Sequence, residues 1–159
     1  MVLADGPAFP SAYMTEEGGQ GINHITLSVS DLDRSLTFYT DIVGMTAIVR
    51  WDGGAYLRSG GDWVCLSLDN RTRQGPLPEY SHVAFSLAES GFREKADLLR
   101  RHGIPLWKDN RSEGNSLYFL DPDGHKLEFH SGDLASRLSA LREKPYPGLQ
   151  WLRDVPEGE

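Results

Sequence analysis

In the run Trp107-Lys-Asp-Asn-Arg-Ser-Glu-Gly-Asn-Ser-Leu-Tyr-Phe-Leu-Asp-Pro-Asp-Gly-His-Lys-Leu-Glu-Phe-His130, a polar loop, a strand, a tight turn and a second strand follow one another. Pro122 and Gly124 supply the turn backbone between the two strands. Side chains alternate across a strand, so Ser116 and Tyr118 share one face and Leu117 and Phe119 the other. In the next strand Glu128 and His130 share a face, with Leu127 and Phe129 opposite. A carboxylate among apolar strand neighbours is costly to bury unless something pairs with it. The partner of Glu128 is therefore the first thing to find.

Outward from this hairpin, one order of elements occurs twice. His24-Ile-Thr-Leu-Ser-Val-Ser30 alternates like a strand, and Asp31 to Gly44 has the periodicity of an amphipathic helix closed by glycine. His82-Val-Ala-Phe-Ser-Leu-Ala88 repeats the strand, and Glu89 to His102 repeats the helix before Gly103. From histidine to glycine the first copy spans 20 positions and the second 21. Three strands are expected after each helix: Thr46–Trp51, Ala55–Ser59 and Trp63–Leu68, then Pro105–Asp109, Ser116–Leu120 and Lys126–His130. Each βαβββ copy is too small to bury its own sheet, so the pair is expected to pack as one α+β domain over residues 21–150. Module one covers 22–70 and module two 80–132, joined by the Pro- and Gly-bearing linker Asn70–Pro78. Residues 1–20, rich in Gly, Pro, Ala and Ser without a period, are expected to form a flexible extension. Asp133 is the expected N-cap of a final helix at 133–144, with Leu134, Leu138 and Leu141 at helical spacing and Pro145 as its stop.

The bulk numbers narrow the function classes. The chain has 159 residues, 39% hydrophobic and 25% charged, as expected of one globular domain. A net charge of −7 argues against a nucleic-acid groove, and no apolar run approaches a membrane span. No basic patch followed by a hydrophobic run marks a signal peptide, and the single Cys65 fits a reducing compartment. The expectation is a soluble cytoplasmic protein with no nucleic-acid or membrane partner.

Ile25, Leu27 and Val29 form one face of the first strand, and Val83, Phe85 and Leu87 the matching face of its repeat. These are the expected core faces. Opposite them lie His24, Thr26 and Ser28, then His82, Ala84 and Ser86, joined by the Ser116, Tyr118, Glu128 and His130 faces. Curved sheets would line a shared concavity with these polar residues. Two imidazoles and one carboxylate there match the two-histidine-one-carboxylate set that holds a divalent metal with open positions. Spacing by itself leaves a second reading open, in which the histidines merely begin strands and Glu128 pairs with Lys126 or an arginine. The equivalence of His24 and His82 in the repeat adds weight to the metal. His102 at a helix end and His125 in a turn are expected to be exposed. His130 is a secondary ligand candidate or an outer partner of the site.

Paired βαβββ modules carrying His, His and Glu resemble the vicinal oxygen chelate superfamily, which includes glyoxalase I, extradiol dioxygenases and bleomycin-binding proteins. The longer string Trp107-Lys-x-Asn-Arg-Ser-Glu-Gly-x-Ser-x-Tyr-Phe-x-Asp-Pro-Asp-Gly-His125, then Glu128 and Ser131-Gly-Asp-Leu-x-x-Arg137-Leu, is similar to one branch. That branch is the fosfomycin-resistance glutathione transferases. The likeness runs from Gly21 to Leu149 and includes Asn23-His24-x-Thr26, Trp51-Asp-x-Gly-Ala-Tyr56, Trp63-x-Cys65-Leu-Ser67 and Tyr80-x-His82. It implies a homodimer with intertwined modules, in which His24 of one chain joins His82 and Glu128 of the other around Mn2+. It further implies that Lys108 and Arg137 bind the phosphonate with Ser112, Ser116 and Tyr118, and that Thr26 sits beside the metal and the epoxide oxygen. By the same resemblance Asn110, Ser112, Gly114 and Ser116 hold K+. Tyr56, Trp63 and Cys65 line the substrate, while Trp51, Ser67 and Arg111 meet the glutathione.

The residue types suit that chemistry. Opening an epoxide builds charge on oxygen, which a Lewis acid stabilises, and a lysine and an arginine neutralise a phosphonate. Epoxide-hydrolysing relatives resemble the chain but carry a glutamate base near Trp51–Ala55, where this sequence has Asp52-Gly-Gly54. Relatives that use bacillithiol or cysteine carry a different loop at 110–116, while Gly53 stands where the glutathione branch has a longer polar residue. An extradiol dioxygenase shares the two-histidine-glutamate set but needs neither Lys108 nor Arg137. A drug-sequestering binding protein of the same fold needs no metal ligands.

Overall fold

The computed structural model describes residue 19, residues 21–111 and residues 114–152. The expected extension at 1–20 therefore lies, apart from Gly19, outside the described residues, as do Ser112 and Glu113. The first module runs β1 (His24–Val29), α1 (Leu32–Thr37), a π-helical segment (Phe38–Val43), β2 (Thr46–Trp51), β3 (Gly54–Ser59) and β4 (Asp62–Leu68). The second runs β5 (Val83–Ser86), a 3-10 turn (Glu89–Gly91), α2 (Phe92–Arg101), β6 (Leu106–Lys108), β7 (Ser116–Leu120) and β8 (Lys126–His130), and α3 (Leu134–Glu143) follows. The sheets have the same order, β1-β4-β3-β2 and β5-β8-β7-β6, so the repeat seen in the sequence is a repeat of topology. In each, the outermost first strand pairs in parallel with the last, and the other pairs are antiparallel.

Local chemistry places the helices. Asp31 caps α1 by accepting from Arg34 N at 3.0 Å, and Asp133 caps α3 reciprocally with Ser136. The first helix departs from expectation in its second half, where Gly44 N and Met45 N both donate to Tyr39 O, at 3.1 and 2.9 Å. This widened turn coincides with two side-chain demands: the Thr40 hydroxyl donates back to Leu36 O, and the Tyr39 hydroxyl reaches Asp121. α3 forms as expected, yet none of its residues is buried and Leu134 is 70% exposed. Among the described residues its leucine stripe joins no buried core.

One core serves both modules. Leu27, Val29, Tyr39, Leu57 and Leu66 of the first are buried in the same cluster as Phe119, Leu127 and Phe129 of the second. The turn Asp121-Pro-Asp-Gly-His125 then fastens module two to the end of β1. Asp123 is buried, accepts from Ser30 N at 3.2 Å and from the Ser30 hydroxyl, and pairs with Arg34 at 2.8 Å. Gly124, at φ +92°, has no room for a side chain, since a Cβ would stand 2.3 Å from the Gly75 backbone. His125 is a correction to the sequence reading. It is 8% exposed and its Nε2 donates to Ser28 O at 2.7 Å, because the turn closes on module one instead of facing water.

Asp121 holds this turn together: Oδ2 accepts from the Tyr39 hydroxyl at 2.7 Å, and Oδ1 from Asp123 N and His125 N at 3.0 and 2.8 Å. Asp121→Ala strands three buried donors and is expected to cost about 2–4 kcal/mol, read as a lowered urea midpoint. Burial first, and then the Asp121 carboxylate, raise the Tyr39 pKa well above its ordinary 10.0. A raised folded pKa stabilises fully below the unfolded value and is lost as pH climbs past it. The melting-temperature advantage of the wild type over Tyr39→Phe should therefore be constant to pH 10 and shrink above it.

Candidate metal and substrate site

The register of the second sheet puts Ala84, Glu128, Tyr118 and Lys108 in one row across all four strands. Ser86, His130 and Ser116 form the next row on that face. Glu128 thus lies mid-sheet, 6% exposed, with Leu127 and Phe129 buried on the opposite side. The Ser116 hydroxyl donates to Glu128 Oε1 at 2.6 Å. The other oxygen, Oε2, lies 2.9 Å from His82 Nε2. The alternative partner, Lys126, is committed elsewhere, donating to Glu79 O at 2.6 Å.

The tautomer of His82 makes this contact informative. Its Nδ1 is 2.9 Å from Tyr80 O, and a carbonyl only accepts, so Nδ1 carries the hydrogen. In a neutral ring Nε2 is then a bare lone pair facing a carboxylate lone pair. Either a proton placed between them or a cation bound by both atoms reconciles them. A metal-ligating histidine commonly has its other nitrogen tied to a carbonyl in this way. His24 has the same arrangement, with Nδ1 2.7 Å from Asn23 Oδ1 and Nε2 left over. The donor set and its outer hydrogen bonds fit a divalent cation.

Around His82 stands an aromatic cluster of Tyr80, Trp107 and Tyr118, with ring centroids 5.1, 5.4 and 6.2 Å away. Lys108 lies over the Tyr80 and Tyr118 rings at 4.6 and 4.7 Å and donates to the Tyr80 hydroxyl. That hydrogen bond, before any other influence, raises the Lys108 pKa and keeps it an ammonium. Tyr80 and Trp107 were not assigned roles in the sequence. The spacing Tyr80-x-His82, which places a carbonyl beside the imidazole, is the signal that points to Tyr80.

The first sheet carries a different lining. Thr26, Cys65 and Tyr56 form one row, His24 pairs with Trp63, and Ser28, Ser67, Gly54 and Trp51 form another row. Rings step along this face from His24 to Trp63 (4.4 Å), Tyr56 (5.0 Å) and Trp51 (4.8 Å). The Trp51 indole lies over the glycine pair, and a Cβ at Gly54 would stand 2.7 Å from it and 2.5 Å from Leu66 O. No side-chain base fits at position 54 without moving that backbone. Tyr56 and Trp63 also wall a hollow of about 280 Å3 with Ile48, Arg58 and Asp62.

Within one chain the expected site is only partly assembled. Glu128, His82, Lys108, Ser116 and Tyr118 share a face of the second sheet, whereas His24 packs on Trp63. Among the described residues no group of three His, Cys, Asp or Glu side chains is arranged to hold a metal ion. Thr26 and His82 both wall a crevice of about 400 Å3 between the outer strands β1 and β5. Asn110 donates to Gly114 O at 2.8 Å, closing the loop of which Ser112 falls outside the described residues. Arg111 is exposed, and Arg137 is half-buried on α3.

Comparisons with known proteins agree with this architecture. Residues 21–129 match the model of the Glyoxalase/Bleomycin resistance protein/Dioxygenase superfamily. Glutathione transferase FosA of Serratia marcescens is 51% identical over 137 residues, covering 85% of this chain and 97% of that protein. Metallothiol transferase FosB of Staphylococcus haemolyticus is 37% identical over 133 residues, covering 80% and 95%. A crystal structure of the fosfomycin resistance protein FosX from Listeria monocytogenes, complexed with Mn(II) and 1S,2S-dihydroxypropylphosphonic acid, is 27% identical with a TM-score of 0.64, covering 76% of this chain and 98% of that one. FosX of Mesorhizobium loti is likewise 27% identical with a TM-score of 0.62, covering 75% and 98%. With the doubled βαβββ sheets and the His82–Glu128 pair, these matches place the chain in the glyoxalase/bleomycin resistance protein/dioxygenase superfamily, in the fosfomycin-resistance family of FosA and FosB.

Proposed function

We propose that this chain is a metal-dependent transferase that adds glutathione to the epoxide ring of fosfomycin and so inactivates the antibiotic. One observation carries the reading: an imidazole nitrogen, its ring partner tied to a carbonyl, meets a carboxylate oxygen at 2.9 Å in the same sheet face as a fixed ammonium. Such a face suits a cation and a small phosphonate. The identity to FosA supports glutathione as the thiol, and Mn(II) in the related FosX supports manganese as the metal.

On this reading His82 and Glu128 are joined by His24 of a second copy, which explains why one chain leaves His24 apart. A divalent cation held by the three would supply Lewis-acid stabilisation to the oxygen that leaves carbon. Lys108 and Arg137 neutralise the phosphonate with Tyr118, and Asn110, Ser112, Gly114 and Ser116 would hold K+. Thr26, at the centre of β1, faces the epoxide oxygen. The thiolate sulfur forms its bond to an epoxide carbon as the carbon–oxygen bond breaks, and the released electron pair on oxygen takes a proton from water. Holding sulfur and carbon in line is a large share of the rate, and the rings of Trp51, Tyr56 and Trp63 with Cys65 give that approach its wall. Ser67 and Arg111 contact the tripeptide. The crowding at Gly54 argues for thiol over water as nucleophile, since no base stands there to activate water. A reducing cytoplasm supplies glutathione and keeps Cys65 free.

Metal-free protein incubated with fosfomycin and glutathione should give, by mass spectrometry, an adduct at the summed mass only after Mn2+ is added, with K+ raising the yield. A product heavier than fosfomycin by one water would instead mean a hydrolase, and no product would remove the enzyme reading. Sharing of sites between chains has its own test. His24→Ala and Glu128→Ala should each be inactive alone, yet mixing them after subunit exchange should restore about a quarter of the sites, because half the dimers then contain one intact site. A site built within one chain would recover nothing.

A further inference from the structure

We infer that His130 is a positioning residue that ties Gly114–Ser116, the described end of the polar loop, to Glu128, so that the metal and K+ sites of the proposed enzyme are set together. The inference rests on the functional reading above. Ser116 Oγ lies 2.6 Å from Glu128 Oε1 and 2.8 Å from His130 Nδ1. A carboxylate has no proton to give, so the single hydroxyl proton of Ser116 goes to Glu128. Ser116 then accepts from His130, and the hydrogen of that imidazole sits on Nδ1. The relay His130 Nδ1–H, Ser116 O–H, Glu128 Oε1 runs in one direction only. It fixes the rotation of the carboxylate and aims Oε2 at His82.

The same assignment decides how Ser116 meets ligands. Its only proton is spent on Glu128, so it has none for a phosphonate oxygen. Its remaining lone pair suits a cation. Ser116 therefore meets a ligand as an acceptor and not as a phosphonate donor.

His130 also touches the loop directly. Gly114 stands on its ring, where a Cβ at φ +76° would lie 3.2 Å from Cε1 and 3.6 Å from Nε2, and 2.7 Å from Ser131 O. Asn115 and Ser131 hold the loop down, with Asn115 N donating to Ser131 Oγ and Ser131 N to Asn115 O, both at 3.0 Å. Loop and carboxylate thus meet at one imidazole.

Two isosteric variants separate the relay from mere packing. The amide N–H of asparagine falls near the place of Nδ1–H, whereas that of glutamine falls near Nε2. Mn2+ affinity, read by EPR of the free ion, should weaken about tenfold in His130→Gln and stay within about threefold of wild type in His130→Asn. The K+ concentration giving half-maximal adduct formation should rise in His130→Gln alone. Equal behaviour of the two variants, or an unchanged Mn2+ affinity in both, overturns the inference. Should His130→Gln fail to fold, Ser116→Ala cuts the relay at its middle and carries the same expectation for Mn2+. A wild type that forms no adduct sinks the transferase reading, and the Mn2+ affinities still decide the role of His130.

Discussion

Glu128 carries a carboxylate into the middle of a sheet, where losing water costs several kcal/mol unless both oxygens find partners. Oε1 has the Ser116 hydroxyl. Oε2 has an imidazole nitrogen whose ring is committed, through Nδ1, to the Tyr80 carbonyl. The polar face of the second sheet is organised around that unfinished pairing. Lys108 ends the same row, held over two tyrosine rings, so positive charge is available nearby without neutralising the carboxylate directly. A face with an unfinished carboxylate–imidazole pair and a fixed ammonium suits a metal and a phosphonate together.

The two modules share a topology and divide the labour. Module two supplies charge: Glu128, Lys108 and the polar loop. Module one supplies rings, with His24 at the end of a ladder through Trp63, Tyr56 and Trp51. Their mutual orientation is set by the buried turn at 121–125, in which the Asp121 and Asp123 carboxylates and the His125 Nε2 reach Tyr39, Ser30, Arg34 and Ser28 of module one. In an intertwined dimer that intrachain fastening would hold the half-site of one centre against the half-site of the other. The exposed leucine of α3 and the separated His24 both fit a chain whose remaining contacts lie with a second copy.

Much of this was legible in the residues. Alternation placed Glu128, His130, Ser116 and Tyr118 on one face because a strand's period is two, and the register bears that out. The repeat was visible because both copies open on a histidine and close the helix on a glycine. The turn was misread at His125, since a polar residue beside proline and glycine normally faces water, and only the tertiary approach of β1 makes it interior. The π-helical half of the first helix left no periodic mark, since one widened turn shifts few positions. Nor did spacing reveal the cradle of Tyr80 around Lys108, which depends on how the segment before β5 meets β6. Whether His24 joins the pair is not a matter of sequence period at all, but of which chain lies beside it.

The most direct test of the account is the EPR spectrum of Mn2+ bound to the protein, recorded before and after fosfomycin is added without thiol. A cation held between His82 and Glu128, with open positions facing the phosphonate-binding face, predicts that the bound-ion spectrum changes and saturates with fosfomycin. Mn2+ that binds but whose spectrum ignores fosfomycin, or that does not bind at all, would contradict it.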